Sequence, residues 1–261
     1  MHLSLTVALV PPAAMVPPAA RPPSRVVCSG AAYDYCIQSL GCTAEAAGKA
    51  ERRLLPDIAE RLTRTQIDYK CDWLQSSLDL SDAELKKVVL GRPSLLGYSV
   101  EKNMAPTLDW LQKRLDLGDA QLRKLVVKQP PLLGYSVEDN LAPTLDWLQS
   151  RLDLNETELK RMIIAFPSLF GYRVEGNMEP KLCFCEEELG LSASEVRASI
   201  VSDPSRLGRS LKKRYRPRLE VCRAVGADVS IVLRGASQTD AAFCKRVGVP
   251  LEALRAAQEN V

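Results

Sequence analysis

The chain has 261 residues, 46% of them apolar and 26% charged, with a formal net charge of +3. That is enough apolar material for a well-buried core, and no apolar run reaches the 18 residues needed to span a bilayer, so a membrane partner is not expected. The charge is unevenly placed: from Pro204 to Val261 there are 12 Lys plus Arg against 5 Asp plus Glu, which leaves the first 203 residues at −4. Eight cysteines form no CxxC pair, and the single histidine is His2, so neither a zinc site nor any other cofactor is expected.

Residues 1–32 contain no Asp or Glu, carry only Arg21 and Arg25 as cationic side chains, and hold six prolines within the first 23 positions. Such a composition builds no core and reads as an organelle-targeting extension, for chloroplast or mitochondrion. Residues 33–55 are read as an N-terminal helical cap, 56–225 as a repeat array and 226–261 as a C-terminal helical cap.

The array is the dominant feature. Pro93, Pro130, Pro167 and Pro204 are spaced 37 residues apart, and so are Pro106, Pro143, Pro180 and Pro217. Between them recur Leu95-Leu96-Gly97-Tyr98, Leu132-Leu133-Gly134-Tyr135 and Leu169-Phe170-Gly171-Tyr172, then Asn103, Asn140 and Asn177, then Trp110, Trp147 and Phe184. A fixed period of this size means stacked supersecondary units. Stepping back one period lands on Pro56 and Trp73, so an eroded copy precedes the clear ones.

Each copy resolves into two amphipathic helices. Leu108, Leu111 and Leu115 form a stripe that returns as Leu145, Leu148 and Leu152. On the second helix Leu85, Val88 and Val89 return as Leu122, Leu125 and Val126, and as Leu159, Met162 and Ile163. Leu-Asp-Leu followed by Ser81, Gly118 or Asn155 makes the short turn and starts the second helix. The proline at 93, 130 or 167 stops it. Ser99 and Ser136 cap the next helix, which Pro106 and its counterparts either start or kink. Thr239–Val249 and Leu251–Ala257 read as closing helices. The fold class is all-α, a superhelical solenoid of about 37-residue repeats.

The repeated phrase Pro-x-Leu-Leu, Ser-Val-Glu-x-Asn, Pro-x-Leu-x-Trp-Leu, Leu-x-Leu and Glu-Leu-x-Lys resembles the repeat of the mitochondrial transcription termination factor (mTERF) family, over roughly residues 56–225. The resemblance implies two α-helices and a short 3-10 turn per copy, stacked into a superhelix. It also implies a nucleus-encoded organellar protein that binds nucleic acid through a basic groove, in transcription termination or initiation, ribosome biogenesis or splicing. Tetratricopeptide and pentatricopeptide repeats fit both the period and the internal prolines less well.

The candidate nucleic-acid interface is Arg206, Arg209, Lys212, Lys213, Arg214, Arg216, Arg218 and Arg223, with Glu220 the single acid among them. On a helical wheel Arg209, Lys212, Lys213, Arg216 and Arg223 share an arc, while Leu211, Tyr215, Leu219 and Cys222 share another. Arg209 stands at the Tyr98 position and Arg214 at the Asn103 position, which suggests scaffold sites given over to phosphate contacts. About five such contacts imply a log–log salt slope near −4 to −5 on duplex DNA.

A weaker ladder is Lys86-Lys87, Arg123-Lys124 and Lys160-Arg161, with Arg197 after it. Glu84 and Glu158 lie three residues before Lys87 and Arg161, at helix ion-pair spacing. The tryptophans are expected in packing, as are Cys185 and Cys222, which align with Leu111 and Leu148. Glu186-Glu187-Glu188 is expected to be an exposed acidic edge. No catalytic motif occurs, so no enzymatic role is expected. The chain is expected to be a monomer that binds organellar double-stranded DNA or structured RNA through the phosphate backbone and regulates organellar transcription, termination included. An RNA-processing or ribosome-assembly role, and a protein-interaction scaffold, are the competing readings.

Overall fold

The computed structural model describes residues 30–260, and the targeting reading of the N-terminal segment lies almost wholly outside them. Among the described residues there are only helices and the turns joining them. Helices Ala31–Gln38, Ala44–Arg52 and Pro56–Arg61 lead into the array. One continuous apolar core then runs from Ala32 to Ala257, and the Leu, Val, Ile and Met stripes of both helices lie inside it. Trp73, Trp110 and Trp147 pack half-buried against that core, and Phe184, Cys185 and Cys222 are buried in it. No helix among the described residues is long and apolar enough to cross a membrane.

The two prolines of each copy dictate its backbone. Arg92, Gln129, Phe166 and Asp203 precede the first proline, and each is forced out of the helical region, with φ between −149° and −136°. The second helix (Asp82–Gly91, Asp119–Lys128, Glu156–Ala165, Ala193–Ser202) therefore ends there. A 3-10 turn follows, Pro93–Gly97 in the first copy and its counterparts at Pro130–Gly134, Pro167–Gly171 and Pro204–Gly208.

The second proline acts on the helix after that turn. It lacks an N–H, and its ring crowds the carbonyl four residues back. The helix accommodates it with a wide π-helical turn at Val100–Met104, Val137–Leu141, Val174–Met178 and Leu211–Tyr215. The residue before each proline then bonds back five positions, Ala105 to Val100, Ala142 to Val137, Glu179 to Val174 and Arg216 to Leu211. The preceding unit, with Tyr69 at the proline position, is plain α-helix over Arg64–Leu78. The first helices then continue as Ala105–Arg114, Ala142–Arg151, Glu179–Cys183 and Arg216–Ala224.

Asp79, Asp116 and Asp153 close the first helices in the left-handed region, at φ 49°, 46° and 47°. The second helices start on capping boxes, Ser81 with Glu84, Asn155 with Glu158 and Ser192 with Glu195, while Gln121 accepts from the backbone N–H of Gly118.

Neighbouring copies are tied by a cation at one position. Arg123 reaches Asp79 at 3.0 Å and Glu84, Lys160 reaches Asp116 at 3.5 Å, and Arg197 reaches Glu158 at 2.7 Å and the Asp153 carbonyl. Lys86 likewise donates to the Gly41 carbonyl at 2.9 Å. Four of the seven cations of the expected ladder are thus internal bracing. Glu84 and Glu158 pair with the arginine of the next copy instead of the cation three residues on in their own helix. Lys87, Lys124 and Arg161 remain exposed.

Copies also approach through glycine. A Cβ added to Gly134 would lie 2.5 Å from Cε2 of Tyr98, so the residue is glycine for room and not for φ. Tyr172 comes against Gly208 in the same way, with its Oη at 2.9 Å from an added Cβ.

Gly134→Ala is expected to destabilise the protein by about 1–2 kcal/mol, because the methyl must displace the Tyr98 ring. In a Tyr98→Leu background the cost should largely disappear, which a double-mutant cycle of urea melts reads directly.

Candidate nucleic-acid interface

The eight cations do not share one helical face. Arg209 follows the 3-10 turn in an extended conformation (φ −82°, ψ 148°), Leu211–Tyr215 is π-wound, and the α-helix begins only at Arg216. The helical-wheel arc assumed uninterrupted 3.6-residue winding from 209 to 223, and the wide turn forced by Pro217 breaks that phase. The eight residues fall instead into three groups.

Arg206, Arg214 and Arg218 work inward. Arg206 stands at the core position of Leu95, Leu132 and Leu169, and is 13% exposed at its side chain. It donates to Ser199 Oγ at 2.6 Å, Ser202 Oγ at 3.1 Å and the Arg234 carbonyl at 3.2 Å. Arg214 donates through Nη1 to the carbonyls of Ala236 (3.1 Å) and Gln238 (2.7 Å). The Arg218 side chain is 0% exposed. It donates to the Gly235 carbonyl at 2.7 Å, the Gln238 carbonyl at 2.9 Å and Asp240 Oδ1 at 2.7 Å, and it lies 4.4 Å from the Phe243 ring centroid.

Burial lowers the Arg218 pKa, a shift that its bond to Asp240 opposes. Burial works to raise the Asp240 carboxyl, but its bonds from Arg218 and Gln258 outweigh it and hold the group below its ordinary value. For these three arginines the expectation that Arg214 marks a phosphate contact gives way to a packing role: they carry the last third of the fourth copy and the chain beyond it.

Arg218 also belongs to a recurring device. Lys70, Thr107, Thr144, Lys181 and Arg218 are 37 residues apart, and the last four are buried polar residues. Lys70 donates to the Leu96 carbonyl and Lys181 to the Leu207 carbonyl, each satisfying the 3-10 turn of the following copy. Lys181 also donates to Asn177 Oδ1, and burial pushes its pKa down to about 8.

Arg216 and Arg223 border acid. Arg216 pairs with Glu188 at 3.0 Å over the Phe184 ring, and Arg223 donates to the Glu188 carbonyl at 3.1 Å. The expected acidic edge is correspondingly reduced, since Glu186 pairs with Arg151 at 2.7 Å and only Glu187 is exposed.

Arg209, Lys212 and Lys213 form the third group. No ion pair or side-chain donation ties any of them to the described residues, and Lys212 and Lys213 are exposed. The Ser210 hydroxyl accepts from the Lys213 backbone N–H at 3.0 Å, which fixes the π turn that carries them. Lys212 has a signal the composition of the run conceals. The same place on the three earlier π turns is held by Glu101, Glu138 and Glu175, all exposed, so the fourth copy reverses the charge of that edge.

An all-helical stack of Pro-bounded repeats, with an unpaired cationic edge among the described residues of its last full copy, defines a helical-repeat protein. The mTERF family model matches residues 38–235, and the chain belongs to that family, whose members are helical-repeat, nucleic-acid-binding and generally organellar proteins. The match extends beyond residues 56–225 at both ends. No curated protein matches the chain significantly.

Two measurements separate bracing from contact residues. Arg218→Ala should lower the unfolding free energy by about 3–5 kcal/mol, because it strands Asp240 and two carbonyls, while Lys212→Ala should change it by less than about 0.5 kcal/mol. Lys181 adds a pH dependence. Its folded pKa lies below the unfolded value, so from about pH 8 upward the unfolded chain holds more protons and stability rises with pH. Comparing urea midpoints at pH 7.5 and pH 10, the Lys181→Met protein should lack that part of the rise.

Proposed function

We propose that the chain binds nucleic acid through the edge formed by Arg209, Lys212 and Lys213, with Arg216 and Arg223 adjoining it, and so acts as a regulator of organellar transcription on double-stranded DNA, termination included. The observation that carries this reading is the charge reversal on the fourth π turn. Packing does not account for it, because Lys212 is exposed and contacts no acid among the described residues. A phosphate chain laid against this edge is attracted at the fourth copy and repelled at the exposed Glu101, Glu138 and Glu175 of the others. Phosphate contacts position a protein without reading bases, so this edge supplies affinity and register rather than sequence preference. A monomer is sufficient to present this edge.

Three unpaired cations imply fewer counterions released than the sequence run suggested. Binding of the full chain to duplex DNA should therefore show a log–log salt slope of about −3, and Lys212→Glu with Lys213→Glu should flatten it and weaken binding. Adding Lys at Glu138 and Glu175 should steepen it. The same titration on single-stranded and structured RNA decides between transcription and RNA processing. A slope near zero, or a Lys212→Glu/Lys213→Glu protein that binds like the parent, overturns the proposal.

A further inference from the structure

The seam where the fourth copy meets the C-terminal helix differs from every seam before it. In the earlier copies a tyrosine covers the next copy's glycine: Tyr98 at Gly134, Tyr135 at Gly171 and Tyr172 at Gly208. At the tyrosine position of the fourth copy stands Arg209, and helix Leu251–Glu259 takes the place of a further repeat. Gln258 on that helix donates to the Lys213 carbonyl at 3.3 Å and to Asp240 Oδ2 at 3.1 Å.

The result is an open cleft of about 550 Å³ lined by Gly208, Arg209, Ser210, Lys213, Arg214 and Gln258. Among the described residues no carboxylate lines it. A cleft between the first two copies measures about 290 Å³ and is lined by both Lys102 and Glu138.

Arg209 is the unusual member. Its Nε is buried without a hydrogen-bond partner, and unlike Arg206, Arg214 and Arg218 it spends none of its other donors on the described residues. A guanidinium held part-buried with its donors unspent is costly unless an acceptor arrives. A phosphate group supplies that acceptor in the planar, two-oxygen geometry a guanidinium matches best. The Lys213 ammonium and the Ser210 hydroxyl offer further donors on the same wall, and both hydrogens of the Gln258 amide are already used, so Gln258 closes the cleft rather than binding in it.

We propose that this cleft is a discrete phosphate-binding subsite, in which one phosphate group is held by Arg209, Lys213 and Ser210 beneath the C-terminal helix. The natural source of that phosphate rests on the nucleic-acid reading above, and is either a strand-terminal monoester or an internal diester. The subsite itself stands on the cleft alone. Because Lys213 gives its side chain to the phosphate and its carbonyl to Gln258, occupancy tightens the contact between the fourth copy and helix Leu251–Glu259.

The test uses the full chain with inorganic phosphate as the first probe. Phosphate should slow backbone hydrogen exchange over residues 208–215 and 251–259. Arg209→Gln and, independently, Lys213→Gln should each weaken its binding about tenfold, while Lys87→Gln should not. Phosphate binding that Arg209→Gln leaves unchanged, or protection confined to other segments, overturns the subsite.

The second probe is a pair of short DNA strands differing only in a 5′-phosphate or a 5′-hydroxyl. Tighter binding of the phosphorylated strand identifies a terminal monoester. Equal binding, weakened alike by Arg209→Gln, identifies a backbone diester, and either result supports the subsite. If both strands bind through Lys212 with no dependence on Arg209, the subsite falls and the nucleic-acid reading stands. If phosphate protects the cleft while no nucleic acid binds, the reverse holds.

Discussion

The proline ring, which lacks an N–H and crowds the backbone before it, is the constraint on which this structure depends. In each copy one proline ends the second helix by forcing its predecessor out of the helical region, and the other, thirteen residues on, widens the next helix into a π turn. The first event places the Leu-Leu-Gly turn under the helix pair, and the second sets out an exposed edge at the same height in every copy. Arg64–Leu78 shows the alternative, since the unit with Tyr69 in place of proline runs as ordinary α-helix. The candidate interface is carried on the fourth of these π turns, so its position is a by-product of how the scaffold accommodates an imino acid.

On that frame the copies are held together by polar contacts of two kinds. Cations at Lys86, Arg123, Lys160 and Arg197 reach back to the turn of the preceding unit, and the half-buried Lys70 and buried Lys181 and Arg218 reach forward to carbonyls of the following segment. Both satisfy backbone or side-chain acceptors that the turns would otherwise leave without partners. The fourth copy intensifies the second kind. With the helix that follows it shortened to Ser230–Arg234, it holds the chain end through Arg206, Arg214 and Arg218 as well as through the buried Val232, Leu233, Phe243 and Leu254. A cluster of arginines is therefore partly a structural answer to ending a solenoid.

What remains after that subtraction is small and well placed. Arg209, Lys212 and Lys213 sit at the rim where the scaffold stops repeating, beside a cleft that no carboxylate of the described residues lines, and on an edge where Lys212 replaces Glu101, Glu138 and Glu175. The glutamates at that position in the earlier copies matter as much as the lysine that replaces them, because they weaken phosphate attraction along the rest of the stack.

Periodic and local features of this protein were determined by the sequence alone: the 37-residue unit, the helix stripes, the Ser81 and Asn155 caps, the proline stops and the packing role of Trp110 and Cys185. Each depends on residues within one turn or one period of each other, so adjacency in the chain is adjacency in space. Part of the site was legible too, in the Glu101, Glu138, Glu175 to Lys212 reversal and in Arg206 standing at a leucine position, once the copies are laid in register. The remainder was decided by tertiary structure. Whether an arginine faces a phosphate or a carbonyl depends on what the fold brings opposite it. For Arg214 and Arg218 the partners lie 17 to 24 residues further along, in a segment with no repeat to predict its path. A charge pattern records how many cations a segment carries, and only the folded chain shows which of them already have a partner.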